Sequence, residues 1–133
     1  CGDSRLYRYR NSDLVALTTD HSPVGRKVAR GELTREEARQ HPRGHVLDQA
    51  LGLSGPQSYQ MEDGQARPGD RFLLTTDGLT DALPEDEIAD IMHDHRNNNP
   101  RMAVKALIEA GLQTAHDNLA VVVVEWAPDG EPV

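Results

Sequence analysis

Hydrophobic and polar positions change period several times along this chain. From Arg5 to Arg10, Leu and Tyr alternate with Arg, Asn11-Ser12-Asp13 supplies turn chemistry, and residues 14–17 are apolar. That pattern predicts a β-hairpin. Residues 20–52 then turn charged and His-rich, with Thr34 and Glu37 at capping-box spacing ahead of Ala38 and Pro42 closing the segment. A helical insertion with little core of its own is expected there. A strand is predicted over residues 57–62, turns at Asp63-Gly64 and Pro68-Gly69-Asp70, and an apolar strand over residues 71–76.

The second half reads as two helices and a last strand. Pro84 followed by Glu85, Asp86 and Glu87 places negative charge at the positive end of a helix dipole, and Ile88, Ile91 and Met92 share one face. A further helix starts near Asn99-Pro100, carries Ala103, Ala106, Leu107 and Ala110 at helical spacing, and stops at Gly111. Residues 119–124 are all apolar, as a strand buried on both faces would be, and a polar tail follows from Ala127.

Composition narrows the possible classes. At 133 residues the chain suits one modest domain or part of one, and with only 4% aromatic residues its core must be largely aliphatic. Residues 1–45 carry nine basic against six acidic side chains, and the remainder five against sixteen. So acidic a chain lacks the basic footprint of a nucleic-acid binder, and the basic third has almost no aromatic stacking platforms. The single cysteine, Cys1, cannot form an internal disulfide, which favours a cytoplasmic setting. The longest apolar run is six residues, far short of a membrane span. The opening Cys1-Gly2-Asp3-Ser4 is a turn cluster that normally follows a strand, so the chain reads as cut from something longer.

Three aspartates share one local context. Gly2-Asp3-Ser4, Thr76-Asp77-Gly78 and His116-Asp117-Asn118 each set an Asp at an expected strand end beside a small or turn-forming residue. Carboxylates without His or Cys suit hard divalent ions such as Mg²⁺ or Mn²⁺ and argue against structural zinc. A lone Asp-Gly pair is far more often a turn than a ligand; the ordered set is what carries weight.

That set runs Gly2-Asp3-Ser4-Arg5, Thr19-Asp20-His21-Ser22, Gly31 with Thr34, Glu36, Glu37 and Ala38, His41-Pro42, Ala50-Leu51-Gly52, Pro68-Gly69-Asp70, Thr76-Asp77-Gly78-Leu79-Thr80-Asp81 and Asp117-Asn118. In this order it resembles the C-terminal part of a bacterial PPM-family (type 2C) metal-dependent serine/threonine protein phosphatase, over residues 1–126. The resemblance implies an α+β fold, part of a four-layer sandwich of two antiparallel sheets flanked by helices. It implies two or more Mn²⁺ or Mg²⁺ ions, with Asp77 and Asp117 on the core metal pair, Asp3 on an additional metal that Asp77 also touches, and Asn118, Gly78 and Arg5 in support. The activity implied is hydrolysis of phosphoserine and phosphothreonine in protein substrates, the products of serine/threonine kinases, by a metal-activated hydroxide. Residues 20–52 resemble the family's flap, beside the site, or are a solvated helix pair.

The family's N-terminal half, with a phosphate-binding Arg, a Glu-Asp pair and an Asp-Gly-x-Gly-Gly segment, has no counterpart here, so the fragment alone is expected to be inactive. Two alternatives stand beside this reading: a non-catalytic PPM-like binding or regulatory module, and a generic Mg²⁺-binding domain acting on small phosphoesters. Other candidates are weaker. His93 and His95 are two apart on a predicted helix and cannot share a face. Ser4 and Ser22 lack a Gly-x-Ser-x-Gly elbow. His116 is a loop residue or a second-layer donor to Asp117, and Arg5 is expected to brace Asp3 or cap its strand.

Overall fold

The strands pair through one local hairpin and through two partners distant in sequence. In the computed structural model, which describes residues 1–53, 55 and 59–127, β1 (Arg5–Arg10) and β2 (Asp13–Ala16) make the hairpin. Asn11 and Ser12 both take positive φ, 51° and 70°, the backbone a two-residue turn needs to match strand twist. Two further strands, β3 (Arg71–Thr75) and β4 (Val121–Glu125), complete an antiparallel sheet of order β2-β1-β3-β4. The register places Tyr7 opposite Leu73 and Leu73 opposite Val123, so one face collects Tyr7, Tyr9, Leu73, Thr75 and Val123.

Helices cover that face. α3 (Asp77–Ala82), α4 (Glu85–Asp94) and α5 (Pro100–Gly111) bring Leu79, Leu83, Ile88, Met92, Ala103 and Leu107 into one core with Tyr7, Tyr9 and Leu73. The acidic first turn of α4 and the Asn99 cap and Pro100 start of α5 form as the sequence predicts, with Pro84 one residue before the helix. The insertion holds α1 (Pro23–Ala29) and α2 (Arg35–Arg39), packed on each other. Thr34 and Glu37 close the expected capping box, with Glu37 N–H donating to Thr34 Oγ1 at 3.1 Å and Thr34 N–H to Glu37 Oε2 at 2.7 Å. Among the described residues no helix is long and apolar enough to cross a membrane.

Two buried ion pairs fasten the sheet. Asp70 accepts from Arg10 Nε and Nη2 at 2.7 and 2.6 Å and from Arg67 N–H at 2.7 Å, at the Pro68-Gly69 turn. Arg71, 2% exposed, donates to Glu125 Oε2, to His95 O at 2.6 Å and to Asn98 O, tying the α4–α5 connection to the strand ends.

Three expectations need correction. Of the strand predicted over 57–62, Gln57 and Ser58 lie outside the described residues, and 59–62 carry no strand. In the predicted tail, residues 128–133 lie outside them too. The run 119–124 is buried on one face only, with Val122 and Val124 at 54% and 47% exposure beside Leu74 at 43%. Valine fits either face of a pleat, so an all-Val strand hides its alternation until its neighbours are known. Finally, Asp77 does not end a strand; it opens α3, with Thr76 at the cap.

Candidate metal centre

The first candidate ligand sits between β1 and the insertion. Gly2, at φ 97°, turns the chain so that its carbonyl accepts from His21 N–H at 2.8 Å, which holds Asp3 half-buried. Burial pushes the Asp3 carboxyl above its ordinary range; the charge of Asp77 adds to this, its own backbone N–H opposes it, and Asp20 and Asp81 add smaller amounts. With Arg5 paired to Thr75, Asp3 and Asp77 lie at the same end of β1 and β3, within electrostatic reach of each other.

Asp77 lies two residues past the end of β3, and its Oδ1 accepts from Gly78 N–H at 2.9 Å. Four residues on, one helical turn away on the same face, lies Asp81. Partial burial raises the Asp81 carboxyl and the charge of Asp77 raises it further, while His45, Arg5 and Arg39 pull it back. Like charges at this spacing destabilise a helix, and a cation between them removes the penalty. Sequence reasoning missed Asp81 as a site residue because α3 was not foreseen; the signal was the i, i+4 spacing in Thr76-Asp77-Gly78-Leu79-Thr80-Asp81.

Asp117 lies in the loop before β4, exposed, its Oδ1 accepting from Asn118 N–H at 2.7 Å. It shares with Asp81, Gly78, Thr114, His116 and the insertion's His45 an open cleft of ≈ 490 Å³. The backbone ties its loop to Asp77: Thr76 N–H donates to Ala120 O at 3.2 Å, and Ala120 N–H to Thr76 Oγ1 at 3.0 Å. Among the described residues no three His, Cys, Asp or Glu side chains close into a group that could hold a metal ion. The donors are hard oxygens at one end of the strands, and the charge of Asp77 acts against both Asp3 and Asp81, which fits a divalent cation held by these residues together with donors from elsewhere.

Arg5 does not brace Asp3. It grips Asp20 through Nε at 2.9 Å and Nη2 at 2.7 Å, and Nη1 donates to Tyr7 Oη at 3.3 Å. Tyr7 Oη donates to Glu85 Oε1 at 2.7 Å, and Arg35 of α2 reaches Glu85 at 3.4 Å and Asp20 at 4.0 Å. Burial alone would lower the Arg5 guanidinium, but its bonds to Asp20 hold it above its ordinary value. This ring locks the insertion to β1 and α4. Of the discounted candidates, His93 meets Tyr9 Oη at 2.9 Å and His95 meets Asn98 at 3.2 Å. Ser22 caps α1, and Cys1 is exposed.

Comparison with known proteins decides the family. Residues 6–127 match the family described as Stage II sporulation protein E (SpoIIE). The serine/threonine phosphatase stp of Listeria welshimeri is 36% identical over 124 residues, covering 93% of this chain and 49% of that protein. The chain belongs to the SpoIIE family of PPM-type domains. The PPM Ser-Thr phosphatase MsPP of Mycobacterium smegmatis, solved with cacodylate, superposes with TM-score 0.76 at 41% identity, covering 93% of this PPM chain and 53% of that one. The catalytic domain of PstP, solved with two manganese ions, superposes with TM-score 0.75 at 32% identity, covering 96% and 51%. The PPM chain corresponds to the C-terminal part of such phosphatases and spans about half the length of the curated relatives it matches.

Proposed function

We propose that this chain is the C-terminal portion, residues 1–126, of a cytoplasmic PPM-type phosphatase domain that dephosphorylates serine and threonine in protein substrates of bacterial signalling kinases. The observation that carries the reading is the clustering of Asp3, Asp77 and Asp81 at one end of β1 and β3, where burial first and the charge of Asp77 second raise both Asp3 and Asp81. Asp77 and Asp117 would hold a core pair of Mn²⁺ or Mg²⁺ ions and Asp3 an additional one, with Asn118 and Gly78 shaping the loops. Bound there, such ions would lower the pKa of a water and offset charge growing on the phosphoryl oxygens.

The chain's own residues would bind and orient. Asp77 and Asp117 keep their carboxylates aimed through bonds to the next residue's N–H. The Arg5–Asp20–Arg35 ring holds residues 20–52, the proposed flap, against the site. The remaining ligands would come from an N-terminal half whose sheet covers Val15, Leu74, Val122 and Val124, an apolar face at 42–54% exposure. Exposed apolar surface of that extent fits a sandwich interface.

The test is Mn²⁺-dependent hydrolysis of an aryl phosphate and of a phosphothreonine peptide, by the 133-residue chain and by the same chain joined to the N-terminal half of a PPM relative. Turnover is expected only when both halves are present. Metal-dependent turnover by the chain alone would show that the site is complete without a second half. A joined, folded domain that binds Mn²⁺ and hydrolyses neither substrate would favour the binding-module reading, and hydrolysis of the small ester alone would favour a small-phosphoester enzyme.

A further inference from the structure

Gly78 stands inside α3, where glycine costs about 1 kcal/mol relative to alanine. Its φ is not in the left-handed region, so the backbone does not require glycine here. The surroundings do. A Cβ placed on Gly78 would fall 3.0 Å from the Asn118 carbonyl carbon, 3.2 Å from Leu119 Cα and closer still to Asn118 O. These are backbone atoms, which cannot swing aside as a side-chain tip can. The two residues in contact directly follow Asp77 and Asp117.

We infer that Gly78 is a positioning residue: its missing side chain lets the Asp77 and Asp117 loops touch backbone to backbone, and that contact sets the spacing of the two carboxylates on a shared metal pair. This rests on the proposed function, which assigns those two Asp as ligands. The two loops are also linked by the Thr76–Ala120 hydrogen bonds and by Thr75 Oγ1, which donates to Ala120 O at 3.1 Å, all on the β3 side of Asp77. The Gly78 contact is on the α3 side. Asp77 is thus pinned from both sides to the loop that carries Asp117.

Every atom of the Asn118 and Leu119 backbone that a methyl group meets must retreat, so Gly78→Ala separates the loops by a sizeable fraction of an ångström. Misplacement on that scale costs reacting or ligating groups up to about 100-fold. Gly111→Ala is the matched control. Its Cβ presses on the same layer from the far side but meets side-chain ends, Leu79 Cδ1 at 3.0 Å and Leu119 Cδ2 at 3.3 Å.

The experiment uses the complete domain, this chain joined to an N-terminal half, and measures Mn²⁺ binding by calorimetry, folded fraction by circular dichroism and turnover against Mn²⁺ concentration. Expected for Gly78→Ala is native-like dichroism with Mn²⁺ affinity weakened about 10- to 100-fold, on the scale of losing a group that orients a ligand, and with lost turnover partly restored by excess Mn²⁺. Gly111→Ala should keep the wild-type affinity to within about 3-fold, since its contacts yield without moving backbone. If Gly78→Ala does not fold, Thr76→Val, which removes the Ala120 N–H to Thr76 Oγ1 bond and so loosens the second tie, carries the test with a weaker shift in the same direction. Unchanged Mn²⁺ affinity in folded Gly78→Ala, or in Thr76→Val where that variant stands in, would overturn the inference, as would an equal loss in Gly111→Ala. A wild-type domain that binds no Mn²⁺ would overturn the functional reading itself.

Discussion

Exchanging Asp70 for Asn removes a carboxylate that is 1% exposed and shared by three donors. The hydrogen bonds from Arg10 lower its pKa from 3.8 to about 2 against the opposing effect of burial, with help from the Arg67 N–H. At 1.36 kcal/mol per tenfold change in proton affinity, that depression corresponds to about 2 kcal/mol of stability at neutral pH. The sign follows from linkage. The folded carboxylate binds a proton less readily than the unfolded one, so its contribution is complete above about pH 4 and fades as pH falls through about 2. The amide still accepts from Arg67 N–H, which keeps the loss from running higher. Urea unfolding of the complete domain, wild type and Asp70→Asn, should give a midpoint gap that is widest near neutrality and narrows below about pH 4. A gap that stays constant through that window, or no gap at pH 7, would refute the assignment of this stability to the Arg10–Asp70 pair.

Arg71→Met should cost about 3–5 kcal/mol in the same unfolding assay, because it strands Glu125 and leaves the His95 and Asn98 carbonyls short of a donor; a loss under about 1 kcal/mol would contradict the tie drawn here. Leu107→Ala opens a cavity in the fully buried core between α5 and the sheet and should cost about 2–5 kcal/mol, read as a fall in the urea midpoint at unchanged slope. Val122→Asp, on the exposed face of β4, should leave the secondary structure of the four-stranded sheet intact by circular dichroism and abolish association with a separately expressed N-terminal half; undiminished association would place that half elsewhere.

The elements legible in the sequence are those whose signals are local. Asn11-Ser12 between two alternating runs announces its turn, Thr34 and Glu37 their capping box, and Pro84 and Asn99-Pro100 the starts of α4 and α5. α3 was not legible. Six residues with one glycine and two aspartates carry no helical period, and what makes them a helix is Leu79 and Leu83 seated in a core assembled from distant strands. Sheet order was hidden for a similar reason, since β1 pairs with β3 across some sixty residues and no short-range pattern encodes that choice.

The site divides along the same line. Asp3, Asp77 and Asp117 were visible as types in a repeated context, because short carboxylates beside turn residues are a local feature. Their partners were not. Asp81 joins Asp77 only through the unforeseen helix, Arg5 turns to Asp20 because the insertion folds back over β1, and Gly78 matters through a contact forty residues away. Each depends on which backbones meet.

If Asp77 belongs to a catalytic metal centre, Mn²⁺ binding and phosphothreonine-peptide turnover by the complete domain should separate wild type from Asp77→Asn. Loss of the ligand should lower Mn²⁺ affinity and turnover by more than the roughly 10- to 100-fold that losing an outer-layer partner causes, with native-like circular dichroism retained. A folded Asp77→Asn domain that binds Mn²⁺ and turns over peptide as the wild type does would contradict that role.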